Sequence, residues 1–326
     1  MELLNGTDLA VVIPAYKGKY FGETLESLAR QSDVDFNVYI GDDCSPEPLA
    51  EIVARFNDRL HIRYVRFEEN LGGRDLVAQW NRCLALAGRE EFVCIFSDDD
   101  VMTPDCIRSF RQTVQDYPGH DVYHWDIEIV DTRLAPLRKT APWDDFVSSA
   151  DFYADLYMGR IDARMPEFIF RKKALEENGF VQFDMAFRTD NATVMEVASC
   201  RGIRNIGGVD RILWRDSGEN VSSFLSGEYV ERRSMATIDF FNWTEDFFRN
   251  VPYPLPRKRY RTQLCRNLAW LAVSWPSVKI YGQLGRYEYF RNADLLHKLK
   301  YVLRLRHDIH KKKIELKKYD NYRIKG

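Results

Sequence analysis

Through the first hundred residues short apolar runs alternate with longer segments of mixed polarity. Leu9–Pro14, LAVVIP, is a β-rich run stopped by proline, and Phe21–Gln31 carries apolar positions at Leu25, Leu28 and Ala29, which predicts strand, loop and helix. The unit repeats with Phe36–Ile40 as strand, Gly41–Pro48 as loop and Leu49–Phe56 as helix. Ile62–Arg66 follows as strand, Arg74–Ala87 as helix and Phe92–Phe96 as a fourth strand. Such alternation predicts an α/β fold with a mostly parallel sheet covered on both faces, and ligands at the carboxyl ends of its strands. Further on, Pro104–Asp116 reads as a helix and Val122–Val130, VYHWDIEIV, as one strand. His124 and Trp125 within it are packing residues. Leu134–Trp143 reads as a loop because of Pro136 and Pro142, with a helix inside Ser149–Met158, a β run at Phe168–Phe170 leading to a short helix, and a helix over Thr193–Ala198. From Gly227 the periodicity is helical: Glu228–Asn250 and Lys258–Val273, joined by the proline-rich break Val251–Pro256, then helices through Tyr287–Arg306.

The fourth strand ends in three consecutive carboxylates, Asp98–Asp100, inside EFVCIFSDDDVMTPD. Adjacent carboxylates repel one another and cannot be buried unpaired, so they call for a cation. Hard ions such as Mg²⁺ and Mn²⁺ take one or two protein carboxylates and leave other positions to water and substrate phosphates. The alternative is a solvated acidic turn that caps the helix after Pro104. The first strand is followed by Pro14-Ala15-Tyr16-Lys17 and the second by Gly41-Asp42-Asp43-Cys44-Ser45. Neither a Gly-x-Gly-x-x-Gly nor a Gly-x-x-x-x-Gly-Lys-[Ser/Thr] is present, which disfavours a dinucleotide-binding Rossmann enzyme and a P-loop NTPase. What remains is a nucleotide site of one aromatic ring and carboxylates. Tyr16 is placed to flank a base or to pack, and Asp42 and Asp43 to contact a ligand or to close an Asx-turn.

VVIPAYKGKYFGETLESLARQ, VYIGDDCSPEP, NLGGRDLVAQWNRCLALAG and FVCIFSDDDVMTPD resemble, in order and spacing, the donor half of family 2 inverting glycosyltransferases of the GT-A fold. The resemblance implies that Pro14, Ala15 and Tyr16 line the base site, that Asp43 contacts the base, and that Arg74 and Asp98 lie at the donor. Asp99 would be the principal ligand of a divalent metal, Mn²⁺ or Mg²⁺, with Asp100 and Asp98 as the other carboxylates it relies on. Ser97 stands where the family commonly has the first Asp of its motif. On the acceptor side, entered near Gly179-Phe180, the family places a Glu-Asp pair whose Asp is the general base. The counterpart here is Thr189-Asp190, so Asp190 is the base or else a helix N-cap, with Asp184 the next carboxylate to consider. Val209–Ser222 resembles the segment where Arg and often His approach the diphosphate; Arg215 matches the Arg, and Ser217 replaces the His. A planar guanidinium suits that role, although a surface arginine is the alternative.

These expectations sum to a GT-A catalytic domain over residues 1–226, with a donor half to about 117 and an acceptor half from 118, and a helical, basic extension over 227–326. The expected reaction moves a sugar from a nucleoside-diphosphate donor, UDP-linked, to a hydroxyl of a carbohydrate or lipid-linked acceptor. The competitors are a catalytically degraded binding protein, for which Ser97 and Thr189 speak, and a nucleotidyltransferase.

Composition changes this picture in three places. The net charge of −2 gives no general attraction to nucleic acid, yet from Arg286 onward thirteen Lys/Arg face five Asp/Glu. Its closing run, His310–Lys318, is either a solvated helix end or a patch drawn to anionic lipid, and Leu299, Val302, Leu303 and Leu305 would supply apolar contact there or pack on the catalytic domain. The six cysteines lack a C-x-x-C pair, so neither a zinc site nor a disulfide framework is expected, and reduced thiols fit a cytoplasmic protein. The N-terminus lacks the pattern of a signal peptide, and no window reaches the 18 or more apolar residues of a membrane span.

Overall fold

The alternating pattern is realised in a computed structural model that describes residues 8–158, 160–161, 163–218, 227–251, 257–272 and 277–323. The first four strands are β1 (Leu9–Ala15), β2 (Asn37–Asp42), β3 (His61–Arg66) and β4 (Phe92–Ile95), connected by helices α1 (Phe21–Ala29), α2 (Leu49–Ala54) and α3 (Leu76–Leu84). They pair in parallel in the order β3-β2-β1-β4. β1 is buried along nearly its whole length, as expected for a strand covered on both faces. Phe21, Leu25 and Leu28 give α1 its buried stripe. α3 starts one residue after Asp75, whose side chain accepts from the Ala78 N–H at 2.9 Å, so Arg74 lies on the preceding loop and not in the helix.

The chain continues through β5 (Val101–Met102), α4 (Cys106–Asp116), β6 (Val122–His124), β7 (Asp126–Val130), β8 (Pro136–Lys139), β9 (Phe146–Val147), α5 (Ser149–Met158), β10 (Phe168–Arg171), α6 (Lys172–Asn178), α7 (Thr189–Val197), β11 (Ile203–Asn205) and β12 (Arg211–Arg215). The large sheet extends as β4-β10-β6-β11-β9, with β10 antiparallel to both neighbours. A second sheet has the order β5-β12-β7-β8.

Two expectations are corrected here. Val122–Val130 is not one strand but two, in different sheets. The break is at Trp125, fully buried, whose backbone N–H donates to Glu167 O and whose indole donates to Cys106 O at 3.0 Å. Leu134–Trp143 is not wholly a loop, because Pro136 begins β8, an exposed strand at the sheet edge where a missing N–H is tolerated.

The chain divides into two compact units, Met1–Gln182 with Thr189–Glu219, and Phe183–Arg188 with Asn220–Gly326. The second unit includes a short excursion, Phe183–Arg188, that lies within the sequence range of the first. That unit is helical: α8 (Gly227–Asn250), α9 (Arg257–Leu271), α10 (Ser277–Gln283), α11 (Glu288–Asn292) and α12 (Leu295–Arg323). Its core is aromatic, with Tyr260, Tyr287 and Tyr301 buried together and the Tyr287 hydroxyl donating to Glu245 Oε1 at 2.6 Å. Phe183 packs edge-on against Phe240, which anchors the excursion. Residues 252–256 of the proline-rich break lie outside the described residues, as do 219–222 of the Val209–Ser222 segment.

Candidate active site

Because β1 to β4 are parallel, their carboxyl ends lie on one edge, and the loops after β1, β2, β3 and β4 gather there. After β2, Asp42 and Asp43 do different jobs. Asp42 closes an Asx-turn by accepting from the Ser45 N–H at 2.8 Å, and it also binds the Tyr64 hydroxyl and Arg66. That turn carries Cys44 at φ 54°, a conformation non-glycine residues seldom adopt, and aims Asp43 toward the loop after β3.

Asp43 Oδ1 accepts from the Leu71 N–H at 2.7 Å and from Arg82, and Oδ2 accepts from the Gly72 N–H at 2.8 Å. A Cβ at Gly72 would come within 2.7 Å of Asp43 Oδ2, so this approach requires glycine. A carboxylate oxygen accepts two hydrogen bonds, so Oδ2 keeps capacity for one more donor. Sequence reasoning missed Arg82, whose guanidinium lies 3.9 Å over the Phe67 ring and locks Asp43 in place. Tyr16, 41% exposed, presents its ring at the same edge, and its carbonyl accepts from the Ser45 hydroxyl. Arg74 pairs on the surface with Glu69 at 2.6 Å.

The acidic end of β4 does not act as one unit. Asp98 Oδ2 accepts from the backbone N–H groups of Tyr16 and Lys17, both at 2.8 Å, and so ties the end of β4 to the loop after β1. Asp99 Oδ2 faces the Lys17 ammonium at 3.2 Å and the Ser217 hydroxyl at 3.4 Å. Asp100 Oδ1 accepts from the Arg215 N–H at 2.8 Å, whereas its Oδ2 is buried with no hydrogen-bond partner. Burial pushes the Asp98 carboxyl up to about 6, and burial with the charge of Asp99 raises Asp100 as well. An orphaned carboxylate oxygen beside a second carboxylate fits a divalent cation. Among the described residues no three His, Cys, Asp or Glu side chains converge on one point. The fit is therefore to an ion held by one or two carboxylates, with the rest of its shell left to water and phosphate. Asp98 is occupied elsewhere, so Asp99 and Asp100 are the side chains suited to hold it. The helix-capping alternative fails: Asp105, not the triplet, precedes α4.

Arg215 corrects the sequence expectation most sharply. It is fully buried, and its guanidinium donates to Asp99 O at 2.8 Å, Thr132 O at 2.8 Å and Glu23 Oε2 at 2.7 Å, while lying 4.1 Å over the Tyr20 ring. It is not a surface residue; it clamps the turn that presents Asp99 and Asp100. Pairing of β12 with β5 delivers it there, an association across more than a hundred residues. Arg215→Met should lower thermal stability, since each buried carbonyl left without a donor costs about 1–3 kcal/mol. UDP affinity measured well below the melting temperature should change far less. A large affinity loss with unchanged melting would instead mark a direct phosphate contact.

In the segment expected to face the acceptor, α7 begins at Thr189, so Asp190 sits inside the first turn and is not the N-cap. It is half-buried, and its Oδ1 accepts from the adjacent Asn191 N–H at 2.8 Å. Immediately before it, Met185, Ala186 and Arg188 all have positive φ, between 51° and 74°. Left-handed non-glycine residues cost on the order of 1–3 kcal/mol each and cluster where function holds the backbone in place. Asp184 is unsuited as a substitute base: Arg232 grips both its oxygens, at 2.6 and 2.9 Å, and holds its carboxyl below the usual carboxylate range.

A mostly parallel sheet whose donor-side strands converge on an acidic turn, with a small second sheet bracketing that turn, defines the GT-A class of nucleotide-sugar transferase folds. The chain belongs to glycosyl transferase family 2, whose family model matches residues 10–205. It is 28% identical over 151 residues to poly(ribitol-phosphate) β-N-acetylglucosaminyltransferase TarS of Staphylococcus aureus, a match covering 44% of this chain and 26% of that protein. It is 44% identical over 69 residues to validoxylamine A glucosyltransferase of Streptomyces hygroscopicus subsp. jinggangensis, covering 20% of this chain and 16% of the relative. Chondroitin synthase of Escherichia coli is 34% identical over 106 residues, covering 32% and 15%. These matches span about a quarter or less of the relatives' lengths. The crystal structure of S. aureus TarS 1–349 in complex with UDP-GlcNAc superposes with a TM-score of 0.59 at 18% identity, covering 91% of this chain and 79% of that one, which establishes the fold.

Proposed function

We propose that this glycosyltransferase moves a sugar from a UDP-sugar to a hydroxyl of a carbohydrate or lipid-linked acceptor with inversion at the anomeric carbon. The observation that carries this reading is Asp43: a carboxylate fixed by two backbone N–H groups and Arg82, with one accepting position left on Oδ2, on the edge where the Tyr16 ring is exposed. Such a pair suits a base that offers a ring N–H and a flat face, as uracil does. The S. aureus TarS structure with UDP-GlcNAc supports the same donor type. Pro14 and Ala15 shape the floor beneath the base, and Arg74, on a loop at the same edge, can exchange Glu69 for a phosphate.

A divalent ion, Mn²⁺ or Mg²⁺, would neutralise charge on the leaving diphosphate when bound. Asp99 and Asp100 would hold that ion, and Asp98 ties the loop after β1 to the turn that carries them. Asp190 accepts the proton of the incoming hydroxyl, so transfer is a single in-line displacement without a covalent intermediate.

Thermal unfolding with a panel of nucleoside diphosphates tests the donor class. UDP with Mn²⁺ at a hundred times its dissociation constant should stabilise the fold by about 2.7 kcal/mol, and removing the metal with EDTA should abolish most of that shift. Equal shifts from ADP, GDP and UDP would overturn the assignment of uracil to Asp43. A non-catalytic binding role has Ser97 and Thr189 in its favour, and predicts the same UDP shift with no metal-dependent turnover of any UDP-sugar.

A further inference from the structure

The longest helix, α12, has two unlike faces. Tyr301, Leu305, Asp308 and Ile309 turn inward and are buried; Tyr301 packs with Tyr287 and Phe290, and its carbonyl meets the Cys265 thiol at 3.7 Å. On the other face Leu295, Leu296, Leu299 and Leu303 are 83%, 60%, 49% and 54% exposed, and the same face then carries Arg306, His310 and Lys313 before the exposed Ile314. Leu305, which the sequence placed among the contact residues, belongs to the core, and Val302 is half-buried, so the outward set is different and more exposed.

What flanks this stripe identifies its occupant. The other exposed residues between Leu295 and Ile314 are Lys300, Arg306, His307, His310, Lys311 and Lys313, without one carboxylate. The one acid in that stretch, Asp308, is buried and paired with Arg304 at 2.7 Å. Carboxylates stand only at the two ends of this face, Asp294 beside His297 and Glu315 beside Lys311 and Lys312, and a leucine stripe with basic side chains between those ends is complementary to a surface that is apolar underneath and anionic on top. A second copy meeting the same face across a two-fold axis would set this basic border against itself. A soluble polyanion would leave the leucines in water. No described helix is long and apolar enough to cross a membrane.

We propose that the outer face of α12 is a docking surface for an anionic lipid bilayer, lying in its interface with the leucines inserted and the lysines and arginines at the headgroups. The geometry stands without the transferase assignment; only its purpose, bringing the enzyme to a membrane-borne acceptor, rests on that reading.

Co-sedimentation of the full chain with phosphatidylglycerol vesicles and with phosphatidylcholine vesicles tests it. Binding is expected to the first and not the second, and to weaken as salt shortens the range of the charges. Leu299→Asp with Leu303→Asp should reduce binding at least tenfold, and Lys300→Glu with Arg306→Glu by a similar factor, each with unchanged melting and UDP affinity. Vesicle binding that ignores lipid charge, or that survives the leucine changes, would overturn the proposal. So would inorganic polyphosphate binding as strongly as the vesicles and equally to the leucine variant, or a leucine-dependent dimer in sedimentation velocity without vesicle binding. UDP binding measured without lipid reports on the transferase site alone, so failure of one reading is separable from failure of the other.

Discussion

Asp190→Asn should reduce sugar transfer by about 10²–10⁴-fold, the usual contribution of a positioned general base, with UDP and metal binding within a few-fold of the parent. The expectation follows from the place of Asp190 in the first turn of α7, half-buried, after three left-handed residues that fix how that turn begins. The amide is nearly isosteric and can still accept from the Asn191 N–H, so the fold loses little. A merely structural Asp at this position favours the helix dipole, worth about 0.3–1 kcal/mol. It would show as a small fall in melting temperature, with activity recovered on cooling or by a stabilising osmolyte. Transfer within a few-fold of the parent would exclude Asp190 as the base. Asp184 is not the fallback, since neutralising it breaks the Arg232 fork and should register as lost stability of the C-terminal unit.

The second large effect is at Asp99. Asp99→Asn should weaken Mn²⁺-dependent UDP binding by at least the ~10–100-fold that loss of even an outer-shell partner costs a metal site, while metal-independent UDP binding changes little. Titration calorimetry of UDP with Mn²⁺ and with EDTA separates the two. In the structure the Lys17 ammonium stands 3.2 Å from the Asp99 carboxylate, a cation beside the oxygen the metal needs. Lys17→Met is therefore expected to act in the opposite sense on Mn²⁺ affinity without nucleotide, raising it because a competing cation is gone. If Asp99→Asn leaves metal-dependent UDP affinity unchanged in a folded protein, the cluster is no metal site.

Local pattern carried the first four strands and their helices well. β1 to β4 and the helices between them are set by runs of buried residues and by stops such as Pro14 and the Asp75 cap, all readable within a few residues. The same is true of Tyr16, Asp43 and the acidic turn, because parallel strands put successive loops on one edge whatever the details. Pattern failed at Trp125, where nothing nearby announces that the chain changes sheets. It failed at β8 as well, whose prolines look like a loop until an edge position is available.

Sequence by itself determined the fold class, the sheet edge where the candidate site residues gather and the residue types found there, since periodicity and short motifs are local properties. Tertiary structure alone decided the work of each charged side chain. Asp98 ties two loops together; Asp99 and Asp100 are left as the pair fit for a cation; Arg82 and Arg215 hold carboxylate-bearing turns from 39 and 116 residues away. It also decided which side of α12 faces outward: Leu303 and Leu305, two positions apart, are exposed and buried respectively. A charge's role depends on which opposite charge or amide lies within about 3–4 Å of it, and chain separation says almost nothing about that distance.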